Sequence, residues 1–87
     1  MQNIYERCCG IDVHKKLIVA CFRNGNKAEL RKFDTLTSSI KELGNWLLDN
    51  ECQMVAMEST GAYWKPIYNI LELLDLDVMV VNAHHMK

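Results

Sequence analysis

Cys8-Cys9-Gly10-Ile11-Asp12-Val13-His14-Lys15-Lys16 is a short apolar run, interrupted by one carboxylate and closed by three basic residues. Its Cys, Ile and Val content predicts a buried strand. On such a strand Cys8, Gly10, Asp12 and His14 share one face, and Cys9, Ile11 and Val13 share the other. Asp12 is the anomaly, because burying a carboxylate is costly unless it is paired, hydrogen-bonded or bound to a cation. Two readings stand: a structural acid satisfied by backbone donors, and a catalytic or metal-binding acid. Gly10, lacking a side chain, leaves room beside it.

Working outward, the strand occupies the end of Ile4 to His14, and Lys15-Lys16 makes a polar break before a second apolar run, Leu17 to Phe22. Arg23-Asn24-Gly25-Asn26 contains Asn-Gly, a strong hairpin signal. Lys27 to Asp34, apolar only at Ala28, Leu30 and Phe33, then reads as a polar edge strand. The opening is therefore a three-stranded antiparallel meander. Thr35 to Ser39 is rich in capping residues, and Ser39-Ile40-Lys41-Glu42 matches a capping box, with Thr37 or Ser38 as alternative caps. Ile40, Leu43, Trp46 and Leu47 form the apolar stripe of a helix running to about Asn50, and Gly44 weakens it slightly.

Cys52 to Glu58 is a fourth strand, apolar on both faces, hence central and parallel to a neighbour. It too closes on an acid. Ser59-Thr60-Gly61 turns into a helix over Ala62 to Leu74, with Pro66 near its first turn and Ile67, Ile70, Leu71 and Leu74 as its stripe. Leu76 to Val81 is a fifth strand. Three antiparallel strands followed by helix, strand, helix, strand make an α/β mixed sheet of ribonuclease-H-like shape.

Composition agrees with one soluble α/β domain over residues 1–87: the chain is 49% hydrophobic and 24% charged. No apolar run reaches the roughly 18 residues of a membrane span, and Met1 to Arg7 is too polar for a signal peptide, so no membrane partner and a cytoplasmic location are expected. Cys8, Cys9, Cys21 and Cys52 show no C-x-x-C spacing and read as small buried hydrophobes. Net charge is −1, but residues 1–41 carry +4 and residues 42–87 carry −5. A basic face for nucleic acid could come only from the first half.

If the fourth strand returns beside the first by a crossover, Asp12 and Glu58 meet on the sheet. Two neighbouring carboxylates repel unless a cation sits between them. Hard divalent ions such as Mg²⁺ or Mn²⁺ take carboxylate oxygens and keep substrate phosphates as further ligands, and a two-ion site serves phosphoryl transfer. Asp12 and Glu58 are accordingly the candidate catalytic and metal-binding residues.

Gly10-Ile11-Asp12-Val13-His14-Lys15, with Met57-Glu58-Ser59-Thr60-Gly61-Ala62-Tyr63-Trp64 and Val80-Val81-Asn82, resembles the amino-terminal catalytic domain of the DEDD, RuvC-like transposases of the insertion sequence 110 family. The resemblance runs from about residue 8 to the end. It implies a RuvC-like core, truncated here at its carboxy end, whose four acids bind Mg²⁺ for DNA strand cleavage and exchange, in a recombinase that works with a structured guide (bridge) RNA. Asp12 falls on the family's first acid and Glu58 on its second. The third and fourth follow later in the family pattern, as does a separate domain with a serine nucleophile. Ala83 departs from the family's usual Pro after Asn. A chain with two of four acids is expected to be inactive alone, to bind DNA poorly at physiological salt, and to self-associate through uncovered apolar surface.

His14, Lys15, Lys16, Thr60 and Tyr63 are candidate nucleic-acid contacts. Each also has an ordinary reading as a polar turn residue, a helix cap or, for Tyr63 or Trp64, a core aromatic. His84-His85 suggests a metal, but adjacent side chains on an extended chain diverge. Two other functions remain open. One is the amino-terminal lobe of an actin-like ATPase or sugar kinase, against which His14-Lys15-Lys16 replaces the expected phosphate loop. The other is a non-catalytic dimerisation module in which Asp12 is only a hydrogen-bonded core acid.

Overall fold

Cys9, Ile11 and Val13, every second residue of the quoted stretch, are almost completely buried, and they anchor a sheet that a computed structural model describes over residues 6–59 and 61–82. Strand β1 spans Arg7–Val13, β2 Ile18–Asn24, β3 Lys27–Phe33, β4 Met54–Ser59 and β5 Val78–Asn82. Helix α1 spans Thr37–Asp49 and α2 Trp64–Leu73. The strand order is β3-β2-β1-β4-β5. β1 to β3 form the antiparallel meander, while β4 lies parallel between β1 and β5. Gln53 ties the start of β1 to β4, its Oε1 accepting the N–H groups of Glu6 at 2.9 Å and Arg7 at 3.0 Å.

Both helices cover one face of the sheet. Ile18, Ala20, Phe22, Val55 and Met57 join the β1 residues on that face, and Ile40, Leu43, Leu47, Ile67 and Leu71 close over them. Each such aliphatic side chain contributes about 2 kcal/mol by leaving water. Trp46 packs edge-on to Phe22 at 5.9 Å and carries the Arg31 guanidinium 4.5 Å above its ring. The stripe expected of α1, Ile40, Leu43, Trp46 and Leu47, is buried throughout, whereas in that of α2 only Ile67 and Leu71 are buried and Ile70 and Leu74 are half-buried at its margin. Gly44 is less a weakness than a contact point: a Cβ there would overlap Leu74 Cδ1 and lie 3.2 Å from Leu71 Cδ2, so its absence lets α2 approach α1.

Three expectations change. The hairpin turns on Gly25-Asn26 rather than Asn24-Gly25: Asn24 pairs with Lys27, and Gly25 takes the positive φ of 61°, as a turn with Gly at its first central position requires. Helix α1 begins at Thr37, behind an extended Leu36 that offers no side-chain cap, so neither the Ser39 box nor Thr37 or Ser38 caps it. Most important, Asp12 is not buried; 57% of its side chain is exposed. The face that carries Cys8, Gly10, Asp12, Val19, Cys21, Ala56, Glu58 and Val81 has no fully buried residue. Among the described residues no helix lies on it, so water removes the burial cost.

The four cysteines are free thiols, but only Cys9 is the buried hydrophobe expected; Cys8, Cys21 and Cys52 are partly exposed, Cys8 and Cys21 because they point to the face that no described helix covers. Burial pushes the Cys9 thiol up to about 12, and burial does the same to Cys52, to about 11. Among the described residues no helix is long and apolar enough to cross a membrane.

Candidate metal and nucleic-acid site

Parallel pairing of β1 with β4 sets Asp12 opposite Glu58. Strands so paired lie about 4.7–4.9 Å apart, and partners in register point to the same side. Ile11 opposite Met57 and Val13 opposite Ser59 fix this register, because the apolar members must face the helices. The two acids thus stand side by side at the carboxy ends of adjacent strands, on the open face. Like charges directly opposite repel, so the pair favours a cation.

Below the acids the next pair on that face is Gly10 opposite Ala56. A Cβ at residue 10 would meet nothing within 4 Å. With Val19 and Cys21 these small residues floor a cavity of about 350 Å³ that opens beside Asp12 and Glu58. Val19 and Cys21 belong to this site although no motif marks them; only the strand order brings them to it, together with Val81 of the Val80-Val81-Asn82 stretch.

His14, just past the end of β1, places Nε2 3.1 Å from Asp12 Oδ2. The His14 backbone N–H donates to the Leu17 carbonyl at 2.8 Å, which tightens the β1–β2 loop. More than half of each side chain is exposed, so the contact orients Asp12 more than it stabilises the fold. Lys15 and Lys16 are exposed in the same loop. The Ser59 hydroxyl donates to the Gly61 carbonyl at 3.3 Å in the turn after β4. Tyr63 is 45% exposed, whereas Trp64 is half-buried, edge-on to Tyr68 at 5.9 Å. Thr60, Ala83, His84 and His85 lie outside the described residues.

Among the described residues no cluster of three or more His, Cys, Asp or Glu forms. The donor set is therefore two hard carboxylates with open space beside them. That set fits Mg²⁺ or Mn²⁺, since Mg²⁺ is held by one or two carboxylates and fills its other positions with water and phosphate oxygens.

Comparison with known proteins bears on this arrangement. A family model described as transposase, of the insertion sequence 110 DEDD type, matches residues 9–87. The chain belongs to the DEDD transposases of the insertion sequence 110 family. Among solved structures, this family member superposes on the fowlpox virus resolvase, crystallised with its substrate Holliday junction DNA, with a TM-score of 0.61 at 17% identity. The match covers 87% of the transposase-family chain and 60% of the resolvase. The shared fold is ribonuclease-H-like, as the element order predicted, and RuvC-like, as the family resemblance implied. The Aquifex aeolicus PPX-GPPA enzyme matches at 16% identity and a TM-score of 0.47, over 91% of this chain and 36% of that one, too loosely to inform the fold. No curated protein sequence matches.

Proposed function

We propose that this chain supplies the first two acids of a metal-dependent site for DNA strand cleavage and transfer in transposition. The reading is carried by the register pairing of Asp12 with Glu58 at the open ends of adjacent parallel strands. Asp12 and Glu58 are the residues that would hold Mg²⁺ or Mn²⁺, with a second ion in the complete four-acid site. When bound, such ions supply Lewis-acid activation for displacement at phosphorus.

The chain's own residues prepare that chemistry. His14 holds Asp12 in position, the Gly10–Ala56 shelf leaves the approach to both carboxylates open, and Lys15 and Lys16 draw in the phosphate backbone. Thr60 and Tyr63 are further proposed contacts. The partners are DNA, a guide RNA by family resemblance, and further copies of the chain, in the cytoplasm.

Titration with Mg²⁺ or Mn²⁺, followed by thermal unfolding, tests the reading. The parent chain is expected to gain stability with the logarithm of metal concentration, by about 1.4 kcal/mol at ten times the dissociation constant, and Asp12→Asn is expected to remove the gain. An Asp12→Asn variant that responds as the parent does would overturn the reading in favour of a non-catalytic dimerisation module.

A further inference from the structure

A second cavity, of about 280 Å³, opens where the β1–β2 loop meets the segment before α1 and the first turn of α2. Its lining includes Lys15, Thr35, Ile40, Tyr63, Pro66 and Ile67. Three kinds of surface meet there. Ile40 and Ile67, at 2% and 1% exposure, supply an apolar floor, and Pro66 supplies a flat wall. Tyr63 offers an exposed ring, while Lys15 offers an ammonium for which the described residues provide no carboxylate partner. The Thr35 hydroxyl, which donates to the Lys15 carbonyl at 3.4 Å, ties the loop to the segment before α1.

An apolar, aromatic slot beside a single cation matches one chemical unit, a planar base joined to a phosphate. Lys15 follows Asp12 by three residues and Tyr63 follows Glu58 by five, so the cavity is lined by the segments that leave the two acid-bearing strands, on the side of the sheet that the helices cover. We propose that this cavity is a subsite for one unpaired nucleotide of the nucleic acid, its base stacked on Tyr63 over the Ile40–Ile67 floor and its phosphate held by Lys15. A base inside a duplex reaches such a slot only by unstacking, which costs a few kcal/mol. The subsite therefore selects single-stranded or unpaired segments over perfect duplex. It rests on the reading that the chain acts on nucleic acid but requires no metal ion.

Fluorescence anisotropy with a labelled single-stranded DNA oligonucleotide and its duplex, at low salt and with EDTA, tests the assignment. The parent chain is expected to bind the single strand more tightly than the duplex. Tyr63→Ala is expected to weaken single-strand binding about 5- to 150-fold, the range that one base–aromatic stack supports, while Tyr63→Phe retains most of it. Lys15→Gln is expected to lower the slope of log affinity against log salt by about 0.7, one phosphate contact on a single strand. Circular dichroism checks that each variant is folded. Equal binding by Tyr63→Ala and the parent, or tighter binding to the duplex, would overturn the subsite. Loss of affinity on Lys15→Gln with none on Tyr63→Ala would reduce it to backbone attraction and also overturn it. The acid-pair reading is judged separately, by the metal response of Asp12→Asn.

Discussion

At the scale of single residues, Gly10 and Asp12 show how one face of a strand is given over to a site. Position 10 has open space where a Cβ would stand and no positive φ to forbid one. A larger side chain is therefore excluded by no contact of the fold. Gly10→Val is expected to raise stability in EDTA by about 0.5–1 kcal/mol, through β-propensity and a less flexible unfolded chain. It is also expected to shrink the Mg²⁺-dependent gain by filling the shelf beside the acids. Urea unfolding with and without Mg²⁺ measures both effects; a destabilised Gly10→Val with an undiminished metal response would contradict this role for Gly10. Asp12 and Glu58 were legible as site candidates because a carboxylate on an apolar strand violates local expectation. The exposure of Asp12 was not, since it depends on what covers the face.

At the scale of elements, the apolar stripes of α1 and α2 were readable because helical periodicity is local. Their ends were not. Each helix stops in the same way, with a residue of left-handed backbone, Glu51 at φ 55° and Asp75 at φ 71°. The N–H groups of Glu51 and Cys52 return to the Leu48 and Leu47 carbonyls, and those of Asp75 and Leu76 to Glu72 and Leu71. This is the Schellman arrangement without the glycine that normally announces it. The start of α1 is equally silent, because Leu36 stands at the cap with φ −81° and ψ 148°. That backbone suits a side-chain acceptor, and Leu36 is 62% exposed. Leu36→Asp is expected to stabilise the chain by about 1 kcal/mol, which for a domain of this size raises Tm by about 4–8 °C. Differential scanning calorimetry checks it, and an unchanged or lower Tm would rule out the missing cap.

At the scale of the whole molecule, the buried Cys9 thiol and the partly buried Cys52 thiol couple the core to alkaline pH. Cys9 and Cys52 have ordinary values of 9.0 and are raised to about 12 and about 11 by burial. Above pH 9 the unfolded chain releases these protons while the folded chain keeps them. The unfolded chain then holds fewer protons than the folded one, so stability falls as pH rises from about 9 toward 11–12. The slope from Cys9 is at most about 1.4 kcal/mol per pH unit. Urea unfolding at several pH values is expected to show the fall, and Cys9→Val to flatten it. Stability that holds level across this range would contradict the burial of Cys9.

The sequence alone determined the elements, the apolar stripes, and the two acids at strand ends, all of which depend on residue types within one strand or helix. Tertiary structure decided the rest. Cys8, Val19 and Cys21 are nearly as apolar as Cys9, Ile18 and Ala20, so the pattern does not say which face the helices cover. Both connections through α1 and α2 put their helices on the same side, and Asp12 was left on the other. Only the parallel return of β4 beside β1 joined Asp12 to Glu58, because a contact between distant segments is set by chain crossover and register, not by local preference.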